Sequence, residues 1–453
     1  MKKRLQLLLI FIAGYTFNVS AQSFTISGPR TIFDLATEKG TNKYTFFNFD
    51  TGREVSPIDS NSGKWDIGFS GTTIILNGGT SGPGNVTAQL LTATSFESQT
   101  SAPVSGYASD RTSKVVPTGA GNGWYNYYPG AAFNGPHTII PIADRLIAIK
   151  LSDGRYVKLQ ILNYYQGAPL DVPTTGPAYE GVGKYYSFRY LVTPEGTNDW
   201  SAVLTKISNL STPNGSPQYF NLASGNLLSS DEVTSGASWN VVFKNTSGLG
   251  TYDNYNIGIF PNTGTNGTSY DSLQLISADF NTIDEAPVSG WQSNTAPVWY
   301  AYNPSNHTIN PKANTSILVK TALNRYAKIR IESYYEDPSD PNSYEHYTFS
   351  YYFQPDGTTN LETPAITTGI EETSASASFS IYPNPLSLSN QFININLEQA
   401  QASVKILDAM GKQVFHETLS GNTANLQPNL SAGMYLITVE QNGKIAWQKL
   451  LVQ

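Results

Sequence analysis

The chain is patterned in twos. In Arg155-Tyr156-Val157-Lys158-Leu159-Gln160-Ile161, the residues Val157, Leu159 and Ile161 fall on one face, while Tyr156, Lys158 and Gln160 fall on the other. This alternation predicts a half-buried antiparallel strand with a polar far face. The preceding Ser152-Asp153-Gly154 is turn chemistry, since glycine takes a positive φ without a Cβ clash. The same alternation returns with Ala327, Ile329 and Ile331 opposite Tyr326, Lys328 and Arg330. Near the C-terminus, Val404 and Ile406, then Tyr435, Ile437 and Val439, alternate between turns rich in Asn, Gly and Pro, enough for a small β-sandwich. Long stretches of 3.6-residue periodicity are hard to find, so the pattern predicts a mainly β protein.

The chain also repeats itself. Phe47-Asn48-Phe49-Asp50-Thr51-Gly52 returns as Phe220-Asn221-Leu222-Ala223-Ser224-Gly225, and Trp65-Asp66-Ile67-Gly68-Phe69 as Trp239-Asn240-Val241-Val242-Phe243. Ala102-Pro103-Val104-Ser105-Gly106-Tyr107 returns as Ala286-Pro287-Val288-Ser289-Gly290-Trp291. Trp124-Tyr125-Asn126-Tyr127 returns as Trp299-Tyr300-Ala301-Tyr302, and His137-Thr138-Ile139-Ile140-Pro141 as His307-Thr308-Ile309-Asn310-Pro311. The order never changes, so a tandem duplication is expected, with repeats at 22–197 and 205–357.

Composition narrows the class. A length of 453 residues suggests about three domains at roughly 150 residues each. The chain has 28 Tyr, 20 Phe, 7 Trp, 38 Gly and 26 Pro, which suits many short strands joined by turns. Cysteine is absent, which excludes disulfides, Cys-ligated metal sites and a lipid-anchored N-terminal Cys. Residues 1–21 read as a secretory signal peptide: Lys2, Lys3 and Arg4 precede the short apolar run Leu7 to Ala13, and Val19-Ser20-Ala21 offers small residues for cleavage. Removing it leaves 24 basic against 34 acidic residues, a charge of −10, so no nucleic-acid partner is expected. No apolar run approaches the length of a membrane-spanning helix, so no transmembrane span is expected.

The repeated blocks resemble the HmuY family of secreted haem-binding proteins of Bacteroidetes. The resemblance rests on Trp65 to Phe69, Leu76-Asn77-Gly78-Gly79-Thr80-Ser81-Gly82-Pro83-Gly84, Trp124 to Tyr127, His137 to Pro141, Tyr156 to Ile161 and Tyr164-Tyr165. The second copy carries Ile259-Phe260-Pro261-Asn262-Thr263-Gly264 in place of the Gly-rich stretch and is the more divergent. Residues 358–376 are rich in Thr and Ser and read as a linker. Residues 377–453 resemble the C-terminal sorting domain of type IX secretion cargo, through Ile381-Tyr382-Pro383-Asn384-Pro385, Val404 to Asp408, Gly411-Lys412-Gln413-Val414, Leu430 to Val439 and Lys449 to Gln453. This likeness implies recognition by the type IX secretion machinery and a secreted or outer-membrane cell-surface location, reached through the periplasm.

The HmuY likeness implies capture of haem or of haem proteins. The ligand supply is short. Cys is absent, and Met1, Met410 and Met434 all lie outside the repeats. Repeat one holds His137 alone, which excludes bis-His ligation there, while repeat two holds His307 and His346. His137, His307 and His346 are therefore the candidate haem ligands. For His137 and His307 the other reading is a loop-fixing hydrogen bond; for His346 it is an exposed position at a strand start. Tyrosine could also bind haem iron, but the sequence nominates none of the 28. Trp124-Tyr125 and Trp299-Tyr300 either fill β cores or stack on surface glycans, which gives the alternative of a surface adhesin or glycan-binding structural protein without haem binding. The acidic run Glu336 to Asn342 lacks the spacing of a calcium loop and reads as a solvated turn. No His-Glu-x-x-His, Gly-x-Ser-x-Gly or phosphate loop is present, and no enzymatic activity is expected.

Overall fold

The computed structural model describes residues 24–130, 135–212, 217–247, 255–261, 271–292, 298–364, 379–389, 391–397, 401–408, 413–441 and 444–453. The signal peptide, linker residues 365–376, Asn262-Thr263-Gly264, Met410 and Gly411-Lys412 lie outside them. The chain divides into two units, Met1–Thr368 and Gly369–Gln453.

The first part of unit one contains β1 (Thr25–Ser27), β2 (Arg30–Ala36), β3 (Thr45–Asn48), β4 (Arg53–Val55), β5 (Ile67–Ser70), β6 (Thr73–Leu76), β7 (Thr87–Thr92), β8 (Tyr125–Tyr128), β9 (Thr138–Pro141), β10 (Arg145–Lys150), β11 (Tyr156–Tyr165) and β12 (Gly183–Val192). One sheet runs β2-β12-β11-β10-β7, a second β4-β3-β5-β6, and β8 pairs with β9. The second part contains β13 (Thr205–Ser211), β14 (Gln218–Asn221), β15 (Asn226–Leu228), β16 (Val241–Ser247), β17 (Tyr255–Pro261), β18 (Ser272–Ile276), β19 (Tyr300–Asn303), β20 (Thr308–Pro311), β21 (Ser316–Lys320), β22 (Tyr326–Tyr335) and β23 (Tyr344–Gln354). Its sheets run β1-β13-β23-β22-β21-β18, β15-β14-β16-β17 and β19-β20. Apart from β1, the strand order is the same in both. A capped turn of helix, α1 (Ser230–Thr234), follows β15, with Ser229 and Glu232 closing a capping box.

Each pair of larger sheets encloses a core. Val157, Leu159 and Ile161 of β11 meet Phe47, Ile67 and Phe69 of the smaller sheet, all buried. Ala327, Ile329 and Ile331 of β22 meet Phe220, Val241 and Phe243 in the same way. The far face of β11 departs from the sequence expectation. Lys158 is only 2% exposed and Gln160 only 6%, because residues 96–102 and Trp200 cover that face with a second apolar cluster. The Lys158 ammonium is satisfied by the carbonyls of Phe96 (2.6 Å), Gln99 (3.1 Å) and Trp200 (2.9 Å), as a buried charge requires. Lys328, fully buried, repeats the arrangement with the carbonyl of Ile283 at 2.9 Å.

The ends of the repeats also differ from the sequence reading. Thr25–Ser27 pair with Lys206–Ser208 and extend the second large sheet, not the first. Asn198 and Trp200 exchange backbone bonds with Ala102 and Thr100, and so close the first repeat beyond residue 197. Thr359 and Leu361 do the same against Ala286 and Asp284, so the segment expected to begin the linker is built into the second repeat.

Buried arginines lock the two parts. Arg30 on β2 donates to Ser224 O (2.5 Å), Asp50 O (3.0 Å) and Asn226 Oδ1 (2.5 Å). Arg325, before β22, donates to Ala168 O at 2.8 Å, with its guanidinium over the Phe33 ring. Arg53 meets Glu232, and Thr31 N donates to Ala223 O at 2.7 Å. Gly28 turns the chain between β1 and β2 at φ +100°, where a Cβ would sit 2.0 Å from Leu204 O, so only glycine fits.

Unit two holds β24 (Phe379–Tyr382), β25 (Ile393–Leu397), β26 (Ala402–Leu407), β27 (Gln413–Leu419), β28 (Thr423–Leu426), β29 (Gly433–Gln441) and β30 (Lys444–Val452). Sheets β24-β25-β28 and β27-β26-β29-β30 bury Ile393, Ile395, Val404, Ile406, Ile437 and Val439 between them. The protein is mainly β throughout its described residues.

Candidate functional site

The repeated histidines sit on matching hairpins. His137 immediately precedes β9 and His307 precedes β20; each ring Nδ1 is hydrogen-bonded to a tyrosine hydroxyl on the partner strand. Tyr127 Oη lies 2.6 Å from His137 Nδ1, and Tyr302 Oη lies 2.5 Å from His307 Nδ1. The ring centroids are 6.0 and 6.1 Å apart, at interplanar angles of 41° and 42°. Both histidines are exposed and both adopt a left-handed backbone, at φ +54° and +56°. A residue with a side chain pays about 1 kcal/mol or more for that conformation, and such strain persists where the surroundings enforce it.

The surroundings are also shared. Ile139 N donates to Tyr165 Oη at 2.9 Å, and Ile309 N to Tyr335 Oη at 2.8 Å, which fastens each hairpin to the end of the long strand beneath it. Ile142 N donates to Trp124 O and Lys312 N to Trp299 O, both at 2.9 Å. Under the first hairpin Trp124 packs against Tyr164 and Tyr186 (5.9 and 5.2 Å between centroids). Under the second, Trp299 packs against Tyr334 and Tyr347 (6.4 and 5.7 Å). Burial pushes the Tyr186 and Tyr347 phenols well above their usual range, so they stay neutral.

An imidazole held at Nδ1 by a neighbouring oxygen is oriented for ligation through Nε2, the arrangement usual for metal-bound histidine. The same bond read the other way makes the imidazole an acceptor for the phenol proton. Ligation at either hairpin would therefore need Nδ1 protonated and donating to the phenol oxygen, which makes Nε2 the nitrogen that would meet a metal. His346 is placed elsewhere, on β23 opposite Ser211, with Nδ1 2.9 Å from Tyr344 O. Tyr127 and Tyr302 are the residues the sequence reading missed. The available signal was the last tyrosine of Trp-Tyr-x-Tyr, present in both repeats.

The aromatic pairs nominated for glycan stacking are not surfaces. Trp124 and Trp299 are each 2% exposed, and Trp124 Nε1 donates to Thr72 O at 3.0 Å. They are core residues, because the hairpins fold over them. The acidic run is exposed, and its carboxylates accept from nearby Ser339 and Asn342 in local turns. Among the described residues no cluster of three or more His, Cys, Asp or Glu side chains is arranged to hold a metal ion. No described helix is long and apolar enough to cross a membrane.

Residues 40–190 match the HmuY protein family model, and residues 380–453 match the secretion system C-terminal sorting domain. No curated protein matches the chain. Among solved structures, the chain is similar to a Bacteroides vulgatus protein described as HmuY-like and haem-binding, at 16% identity and TM-score 0.25, covering 36% of this chain and 92% of that one. It is also similar to the BSP domain of a biofilm-associated protein, at 10% identity and TM-score 0.15, covering 73% and 65%. The protein thus carries an HmuY domain at residues 40–190 and, at residues 380–453, the C-terminal sorting domain of a secreted, cell-surface type IX cargo.

Proposed function

We propose that this is a surface ligand-capture protein that takes haem at its Tyr–His hairpins, one per repeat, and that residues 205–364 are a second, divergent HmuY-like module. The observation that carries the reading is the matched pair: the same strained histidine, bonded to the same tyrosine, on two copies that differ elsewhere. His137 and His307 would each meet iron through Nε2, with Tyr127 and Tyr302 orienting the ring. When bound, haem supplies the iron and a flat apolar face; the chain supplies the ligand and its orientation. His346 has no part in this reading.

The test is a haem titration of mature residues 22–453 followed at the Soret band. A saturable shift approaching two haems per chain is expected, falling to about one in either His137→Ala or His307→Ala, with His346→Ala unchanged. No shift at about 10 μM haem would overturn the proposal.

A further inference from the structure

Two matched turns close on one guanidinium. Turns 48–52 and 221–225 are built alike: Thr51 N donates to Asn48 Oδ1 at 3.0 Å, and Ser224 N donates to Asn221 Oδ1 at 2.9 Å. Each ends on a glycine in the left-handed region, Gly52 at φ +63° and Gly225 at φ +68°. Arg30 lies between them. It donates to Asp50 O (3.0 Å) and Thr51 O (3.2 Å) of the first turn and to Ser224 O (2.5 Å) of the second. Asn226 Nδ2 donates to Gly52 O at 2.9 Å, and Thr31 N donates to Ala223 O at 2.7 Å. Each turn rests on one side-chain acceptor at 2.8 Å, Asp66 Oδ2 under Phe49 N and Asn240 Oδ1 under Leu222 N. Asp66 Oδ2 also accepts from Asn48 Nδ2 at 3.1 Å, so it holds its turn at two points. The two supports differ in one respect: Asn240 is always neutral, whereas Asp66 ionises.

We infer that Asp66 is an acid-sensitive latch on this clamp, independent of the hairpins: protonated, it matches Asn240 and turn 48–52 closes on Arg30; ionised, it loosens the seam between the repeats. The surroundings leave its charge uncompensated. Arg155, the cation facing it, is committed to Asp50 at 2.7 Å and to Asp153 at 2.5 Å. Those two acids repel a charge on Asp66, and Arg30 is engaged by carbonyls. The Tyr190 phenol on β12, kept neutral by burial, donates to Phe49 O at 3.2 Å. An ionised Asp66 regains water only if the turn above it opens, and that opening withdraws the Asp50 and Thr51 carbonyls from Arg30. Burial pushes the carboxyl up to about 6; Asp50 and Asp153 add to this, while the Phe49 N–H and Arg155 oppose it. A folded value above the unfolded one means that the hold is complete below about pH 4 and is lost as pH rises through 6. A cavity of about 690 Å³, walled by Arg30, Phe49, Asp50, Asp153 and Arg155, brings solvent to the edge of the clamp. Asp271, also pushed up to about 6 by burial, stands one bond behind the second turn, accepting from Asn240 Nδ2 at 3.0 Å. It serves as the control.

The experiment is hydrogen exchange of mature residues 22–453 at about pH 5 and about pH 8, each rate corrected for its intrinsic pH dependence. Protection of the Thr31 amide, which spans the repeats, and of the turn 48–52 amides should fall about tenfold or more from the lower pH to the higher, while β11 changes little. Asp66→Asn should abolish that fall and keep the acid level of protection at both pH values. Asp271→Asn should leave it in place. If Asp66→Asn does not fold, Asp153→Asn decides: removing one repelling charge should move the midpoint of the fall to lower pH. Equal protection of Thr31 at both pH values in the wild type would overturn the inference. So would a fall that survives in folded Asp66→Asn, a fall abolished by Asp271→Asn, or an unmoved midpoint in Asp153→Asn.

Discussion

Asp66 and its counterpart Asn240 show how one side chain tunes each repeat. Asp66 Oδ2 accepts from Phe49 N at 2.8 Å, and Asn240 Oδ1 accepts from Leu222 N at 2.8 Å, so the turn after β3 or β14 needs an acceptor but not a charge. Burial, with smaller contributions from Asp50 and Asp153, pushes the Asp66 carboxyl up to about 6. Because the folded value lies above the unfolded one, protonated Asp66 contributes stability below about pH 4, and that contribution is lost as pH rises through 6. Asp66→Asn is therefore expected to raise stability at pH 7 by on the order of 2 kcal/mol and to flatten the pH dependence between 4 and 6. Urea melts of wild type and variant at four pH values check this; parallel curves would refute it. Asp271, raised to about 6 by burial, leaves a residual slope in the variant. The sequence displayed the Asp66/Asn240 exchange, but not that the position is buried enough to make the charge costly.

At the scale of elements, β1 decides more than its three residues suggest. It covers the edge of β13, and Phe24 just before it is buried in the second core. Exposed strand edges invite pairing with other chains, and covering them removes that hazard. Deleting residues 22–28 should destabilise the second repeat while sparing the first. Hydrogen exchange would show faster amides in β13 with β11 unchanged; equal protection throughout would count against it. The alternation of Val157, Leu159 and Ile161 was legible because the period of two is local. That Lys158, on the other face, is also buried was not, since the covering segments come from residues 96–102 and 198–200. A lysine at an apparently solvent-facing position looks ordinary until its three carbonyl partners are known.

For the whole molecule, Arg30 and Arg325 reach across in opposite directions, each buried and each bound to carbonyls of the other repeat. Removing one such side chain leaves buried carbonyls without donors, at about 1–3 kcal/mol for each group. Arg30→Met is expected to split a single cooperative melt of unit one into two transitions, read by calorimetry of residues 22–453. One unbroken transition, shifted but not split, would show that β1 and the remaining seam contacts suffice.

The sequence by itself determined the β class, the HmuY domain of the first part and the sorting tail, because periodicity and short motifs are carried by residues close together along the chain. It also limited the ligands, by leaving the repeats without Cys or Met and the first with a single His. The tertiary structure decided the rest. Tyr127 was one of 28 tyrosines until the hairpin set it on His137. Trp124 was a surface candidate until the hairpin covered it. The seam between the two parts pairs residues more than 150 positions apart, such as Arg30 and Ser224, and no local pattern records such a meeting. Local pattern determines what each segment can form; packing between distant segments determines which side chains share a site.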